Sequence, residues 1–344
     1  MNTTLKIYKS ISTPSLSLPV CVTFTVLMSF SLCLHIFMAF TLYHTKIPSP
    51  LTKLLLYQQC TLDGFYSILV IVLANTNNFT QADNTVPTNP VLCYIFQSGF
   101  LTITVRVMSF CNIVCQSADR VWALVFPQTY RVYTKYYIAV CCTFIPIFSS
   151  LSTSIRIAKA TLSGGSCVIK DLPISKYVVA AIESSLRYGI PMCFLIFTNV
   201  LVIRTLYKLR MINFGSTKKT QISLSSHGSG ASEHKDNSTK ASSSLQTALF
   251  LNVFFLTMEV TVIECIPIVF TVLNFNNVIR YDVGSIARVY HMCVVVMLND
   301  LNPCVGILTI KTLRSTIKRN FKKLASFGNK NETDSCACAS TVTH

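Results

Sequence analysis

The run SLPVCVTFTVLMSFSLCLHIFMAFTLY, Ser17–Tyr43, contains no Asp, Glu, Lys or Arg. A helix needs about 20 largely apolar residues to cross a bilayer, and this run exceeds that. It is too long for the apolar region of a signal peptide and lacks a small-residue cleavage site, so it reads as a retained helix. Six further runs follow: Leu51–Ala74, Val91–Val121, Tyr136–Ile155, Tyr177–Leu206, Leu245–Leu273 and Ser285–Ile310. All are continuous rather than alternating, which excludes a β-barrel. The expected fold is an all-α membrane protein with seven transmembrane helices.

Composition agrees. Of 344 residues, 51% are hydrophobic and 12% charged, with a mean hydropathy of +0.52. Soluble domains carry roughly 25% charged residues, so an ordinary soluble enzyme is excluded, and the apolar content excludes intrinsic disorder. The net charge of +16 would suggest nucleic acid in a soluble protein. Here the basic residues sit in short loops between apolar runs, so the partner is the lipid bilayer and no nucleic acid is expected. Placing the N-terminus outside puts nineteen Lys and Arg on the inner segments against seven on the outer ones, the asymmetry a plasma-membrane protein shows. The sequons at Asn2 and Asn78 then face outward as glycosylation sites. Most of the 15 cysteines, such as Cys33, Cys111, Cys115, Cys141, Cys142 and Cys193, lie inside apolar runs as small hydrophobes. No CxxC pair with a partner pair or spaced His occurs, so neither metal nor cofactor is expected.

Four segments are distinguished from the bundle over residues 17–310. Residues 1–16 form an extracellular N-terminus. Residues 214–244 are Ser-rich and charged, the text of a flexible cytoplasmic loop. Residues 311–327 place Leu313, Ile317, Phe321 and Leu324 on one helical face flanked by Lys318, Arg319, Lys322 and Lys323, an amphipathic membrane-surface helix. Residues 328–344 read as a disordered cytoplasmic tail, in which Cys336 and Cys338 are either palmitoylated as a second anchor or simply reduced.

Residues near the run ends narrow the function. Asp119-Arg120-Val121 closes the third run, and Asn302-Pro303-Cys304-Val305-Gly306 lies low in the seventh. Asp63 stands in the second, Pro191 in the fifth and Pro267 in the sixth. Cys93 opens the third run, and Cys167 lies in the following outer loop. Together these resemble the rhodopsin-like G-protein-coupled receptors over nearly the whole chain. The resemblance implies that Asp119, Arg120 and Val121 match the DRY-type switch, Asn302 and Pro303 the start of NPxxY, Cys93 and Cys167 the outer disulfide, and Asp63 the embedded acid of the second helix. It implies a heterotrimeric G protein as partner. The departures are Glu264-Cys265-Ile266-Pro267 where the family carries CWxP, Gly306 where it carries Tyr, His35 where it carries Asn, and a single Trp, Trp122. The Cys93-to-Arg120 interval is also slightly long. A skeleton retained with such divergence is similar to the nematode serpentine chemosensory receptors, which implies a sensory cell membrane and a small environmental ligand.

Charges embedded in apolar text are costly and default to functional readings. Arg106 stands about four turns outward of Arg120 on nearly the same face. Glu183 and Arg187 are spaced i,i+4, Glu264 sits one turn before Pro267, and Arg288 and His291 lie in the outer part of the seventh run. With Thr102, these residues are expected to line one outward-facing cavity, suited to a small ligand with an acidic head. The alternative is that Glu183 only neutralises Arg187 or Arg106. In the family, amine receptors carry an Asp where Thr102 stands, so the resemblance disfavours an amine. No Lys lies between Ser285 and Ile310, which excludes a retinal Schiff base there. Asp63, Asn299 and Asp300, with Asn302, form either an ion site or a mutually satisfied polar network. No HExxH, GxSxG or P-loop occurs, so no enzyme is expected. The alternatives are a short-peptide receptor and, more remotely, a transporter or ion channel, against which stands the lack of any internal repeat.

Overall fold

A computed structural model describes residues 18–47, 49–79, 89–170, 172–208, 233–276, 278–279, 281 and 285–320. Asn2, Cys336 and Cys338 lie outside the described residues, as do residues 1–16 and 328–344. Among the described residues, seven helices are long and apolar enough to cross a membrane: Leu18–His44, Pro50–Leu73, Phe100–Val125, Pro127–Lys159, Tyr177–Thr205, Ala248–Asn274 and Ala287–Thr309, the first to seventh spans. The protein is thus a seven-helix, multi-pass membrane protein. The third span is the hub. Its apolar window is 67% buried, against 28% for the first, and it packs on the second, fourth, fifth and sixth.

Several boundaries differ from the sequence expectation, each for a local reason. The run Val91–Val121 is not one helix. It opens with a π-turn, Leu92–Gln97, breaks at Gly99 with φ 74°, and restarts as Phe100–Val125. The left-handed backbone there is one that glycine adopts without a Cβ clash. The π-turn takes up a residue relative to an α-turn, which accounts for the long interval from Cys93 to Arg120. The fourth span starts at Pro127 rather than Tyr136, because proline's fixed φ suits the first helical position.

The sixth helix runs Glu233–Phe275, so residues 233–244 of the expected flexible loop are helical. No Gly or Pro interrupts the chain between Glu233 and Pro267, and the helical hydrogen-bond ladder continues past the apolar text. The seventh span is two helices, Ile286–Asn299 and Leu301–Thr309. Pro303 has no N–H to donate to the Asn299 carbonyl and its ring crowds that group, which places the break at Asp300. The fifth span is likewise interrupted, by a π-turn at Ser185–Gly189 just before Pro191, whose ring would crowd the Arg187 carbonyl in a regular α-turn.

A β-hairpin, unanticipated from the sequence, caps one end of the bundle. β1 (Ala160–Ser163) pairs antiparallel with β2 (Ser166–Ile169). Gly164 and Gly165 supply the two positive φ angles of its tight turn, as a two-residue hairpin loop demands. Cys167 of β2 is disulfide-bonded to Cys93, Cα atoms 5.4 Å apart, which pins the hairpin to the start of the third span. Asn78 stands in the last turn of the helix Pro50–Phe79, on the second span's extension past Leu73.

The opposite end closes by tight packing. Met38, Leu42, Leu56, Cys60, Leu249, Ile310 and Leu313 form one buried cluster. Residues 311–320 are helical, and Leu313 is fully enclosed. The first turn of the expected membrane-surface helix therefore turns its apolar side to the bundle rather than to lipid. A Cβ on Gly306 would stand 2.9 Å from Met38 Cε, so any side chain here requires the Met38 terminus to move. Gly306→Leu is expected to lower stability by about 1–3 kcal/mol through overpacking, and Gly306→Ala by less, since the terminal methyl of Met38 can swing aside. Thermal unfolding of the purified variants would check this, with Met38→Ala partly restoring Gly306→Leu.

Candidate functional site

At the hairpin end the helices enclose a cavity of about 160 Å³. Thr102, Arg106, Glu183, Arg187, Glu264, Arg288 and His291 all line it. The structure thus brings the seven embedded residues singled out from the sequence to one wall. It adds Arg156, Tyr66, Tyr188 and Tyr281, which sequence reasoning missed. Arg156 and Lys159 follow the apolar text of the fourth run, and the structure carries them on a short helix, Ile155–Lys159, that extends the fourth span after a turn at Ser154.

The pairing within this wall is specific. Arg106 Nε and Nη2 donate to Glu264 Oε1 at 3.1 and 2.8 Å, and Nη1 donates to Asn299 Oδ1 at 3.0 Å. Arg106 is therefore answered by the sixth and seventh spans and not by Glu183. Glu183 instead takes three cations: Arg156 at 2.6 Å, Lys159 at 3.6 Å, and Arg187 one turn along its own helix. The neutralisation of Glu183 by Arg187 is present, but one carboxylate cannot cancel three positive charges. Across the cavity wall, four arginines (Arg106, Arg156, Arg187, Arg288) face two glutamates (Glu183, Glu264). Two polar nitrogens on the wall, Arg187 Nε and His291 Nε2, are buried without a hydrogen-bond partner among the described residues. The other ring nitrogen, His291 Nδ1, lies 2.7 Å from the Tyr281 hydroxyl. Burial pushes the Tyr281 phenol up to about 12, so it stays protonated and neutral.

The π-turn at Ser185–Gly189 serves this arrangement. One extra residue in the turn keeps the faces above and below in phase, so Glu183, Arg187 and Tyr188 meet the same cavity while Leu195 below remains fully enclosed in the core.

Beneath the cavity, the polar residues of mid-depth gather into two networks, around Asp63 and around Asp300, joined where Ser67 meets Ser31 Oγ and donates to the Asp63 carbonyl. Asp63 accepts from Gln59 Nε2 at 3.1 and 2.9 Å, from Ser109 Oγ at 2.6 Å and from Asn302 Nδ2 at 3.2 Å. Gln59 Oε1 accepts in turn from Asn112 at 2.8 Å. These donors fill the lone pairs of Asp63, while Asn112 Oδ1 and Asn302 Oδ1 are buried without a partner among the described residues. Asp300 belongs to the second network, accepting from Ser31 Oγ at 2.5 Å and lying 3.6 Å from His35 Nε2. Asn299 departs from the expected cluster to bind Arg106. Gln59, Ser109 and Asn112 were not anticipated. The i,i+4 spacing of Gln59 and Asp63, and the single-face spacing of Ser109 and Asn112, are the signals that could have found them. Glu259 was missed as well; its Oε1 is buried without a partner among the described residues.

At the far end, Asp119 and Arg120 are 1% and 3% exposed and bonded to each other and to Thr52 of the second span. Tyr130 Oη donates to Asp119 Oδ1 at 2.6 Å and meets Ser49 Oγ at 2.6 Å, which ties the start of the fourth span to the same pair. Leu249, Asn252 and Val253 of the sixth span close over Arg120, leaving a void of about 10 Å³. Val121 lies one residue on, packed against Val202 and Phe250.

Compared with known proteins, the chain matches no protein-family model and no curated sequence.

Removing one partner of a buried ion pair leaves the other uncompensated, which typically costs about 3–5 kcal/mol. Because Arg106 borders the cavity and keeps Asn299, Glu264→Ala is expected at the low end, about 3 kcal/mol. The double variant Glu264→Ala with Arg106→Met should be the more stable of the two, as measured by thermal unfolding in detergent or nanodiscs.

Proposed function

We propose that the protein is a G-protein-coupled receptor of the chemosensory kind, sensing a small ligand with an acidic head. The carrying observation is the cavity wall, where four arginines face two glutamates and Arg187 Nε and His291 Nε2 lack partners among the described residues. Guanidinium forks match a carboxylate in both charge and geometry, and within a membrane protein such unanswered polarity marks a ligand path. The cavity's modest volume of about 160 Å³ favours a small molecule over the short peptide that the sequence left open.

The transmission step rests on the far end. With the hairpin end outside, Asp119 and Arg120 face the cytosol, bonded to each other and roofed by the sixth span. A ligand that binds more tightly when the sixth span has moved shifts the population toward that state, and movement of Leu249, Asn252 and Val253 uncovers Arg120 for a G protein. The Arg106–Glu264 pair couples the two ends, because it ties the third span directly to the sixth. The absence of the family's sixth-helix Trp is then no obstacle, since Glu264 gives that helix a ligand-side contact of its own.

A second-messenger assay in cells expressing the chain with a promiscuous G-protein α subunit tests this. Small acids are expected to elicit a response that amines do not. Arg120→Ala should reduce that response by more than about tenfold at unchanged surface expression. Ion flux on adding an acid, undiminished in Arg120→Ala, would instead favour the channel reading.

A further inference from the structure

The cavity has a neighbour that opens toward the bilayer. Between the fourth and fifth spans lies a crevice of about 570 Å³, walled by Leu151, Ile155, Ile157, Ile182 and Leu186 with Glu183 at its back. Leu151 and Ile182 are 69% and 48% exposed, on a helix face that the membrane covers. Glu183 lines both the crevice and the central cavity, so the two spaces share one ionic wall. That wall is charge-unbalanced: Arg156, Lys159 and Arg187 converge on the single carboxylate of Glu183. Two positive charges are left over beside a slot that is apolar and faces lipid.

The volumes are also unequal in a telling way. Pockets that bind whole drug-sized molecules run to about 300–1,000 Å³. The central cavity, at about 160 Å³, has room for a head group only, whereas the crevice, at about 570 Å³, has room for a flexible chain. A polar head fits where the arginines are, and an apolar body fits where the leucine and isoleucine side chains are.

Building on the receptor reading above, we propose that the ligand is a single-chain amphiphilic carboxylate dissolved in the bilayer. It enters through the crevice between the fourth and fifth spans. Its carboxylate takes a share of Arg156 and Arg187 from Glu183, and its chain remains in the crevice against Leu151, Ile182 and Leu186. Access from lipid needs no opening of the hairpin end, which the disulfide between Cys93 and Cys167 holds in place. Glu183 acts as the internal anion that keeps these cations in position while the site is empty. Of the charged groups facing it, Arg156 and Lys159 come from the fourth span and Arg187 from the fifth.

The test is direct binding to the full chain in nanodiscs, read without any G protein. Hexadecanoate carrying a fluorophore is the probe, with unlabelled hexadecanoate, hexadecanol and octanoate as competitors. Hexadecanoate should compete best, with the alcohol weaker by about tenfold or more for lack of a charge-assisted bond and octanoate weaker by at least as much for lack of chain. Ile182→Trp, which fills the crevice without touching the central cavity, should weaken hexadecanoate about tenfold and octanoate, with less chain to displace, by less. If that variant folds poorly, Leu151→Trp on the opposite wall serves the same purpose. A hexadecanoate with a diazirine at its chain end should label segments 151–158 and 182–186. Equal binding of octanoate and hexadecanoate, indifference to both tryptophan variants, or labelling elsewhere would overturn the proposal while leaving the receptor reading intact. Binding through the crevice with no second-messenger response would instead support this site and count against the receptor reading alone.

Discussion

Arg106 is a fixed positive charge on the most enclosed helix of the bundle, and a guanidinium does not give up its proton in a protein. In lipid there is no water to answer it, so the answer must come from other helices. Glu264 supplies the counter-charge and Asn299 the remaining acceptor, which fixes the rotation of the sixth and seventh spans about the third. Once those rotations are set, the rest follows with little freedom. Pro303 must break the seventh span just below Asn299, Asp300 swings to Ser31 of the first, and Asn302 turns to Asp63 of the second. One unavoidable charge thus orders four of the neighbouring helices.

The two ends of the bundle answer their charges differently. At the far end, Asp119 and Arg120 satisfy each other and share Thr52, with Tyr130 completing the set. There acid and base stand one to one. At the hairpin end, cations outnumber acids and two nitrogens lack partners among the described residues. Buried polar groups are normally paired, and departures from that rule concentrate where something else is meant to bind. The contrast is why one end reads as a lock and the other as a receptacle.

Much of this was visible in the sequence, and the part that was not has a common cause. The seven spans follow from uninterrupted apolar text, and the cavity residues follow from charges standing inside that text. The i,i+4 pairing of Glu183 with Arg187 followed from spacing, but the partners of Arg106 did not. Arg106 and Glu264 are separated by 158 residues, and which helices face each other at a given depth depends on packing that no local pattern encodes. Uncharged polar residues were the second blind spot: Gln59 and Ser109 draw no attention in a hydropathy reading, yet they satisfy Asp63. Helix ends were the third. Pro127 begins a helix and Pro303 lies just inside one beyond a break, and the difference lies in the residue before: Phe126 has left helical geometry at φ −127° and ψ 60°, whereas Asn302 is helical. The hairpin went unread because its strands are four residues each, though Gly164-Gly165 marked its turn.

The two π-turns, Leu92–Gln97 and Ser185–Gly189, bear on how such a chain can change over generations. A regular transmembrane helix cannot gain or lose one residue without rotating everything beyond it by about 100°, which would carry a polar stripe into lipid. A π-turn already holds the additional residue locally, so deleting one there restores an ordinary turn and leaves both flanking faces where they were. Insertions and deletions are therefore tolerated at these two points when the remaining lengths of the spans forbid them. Both points lie beside the disulfide and the charged cavity, so the rim of the site can be remodelled in small steps while the bundle beneath it keeps its register.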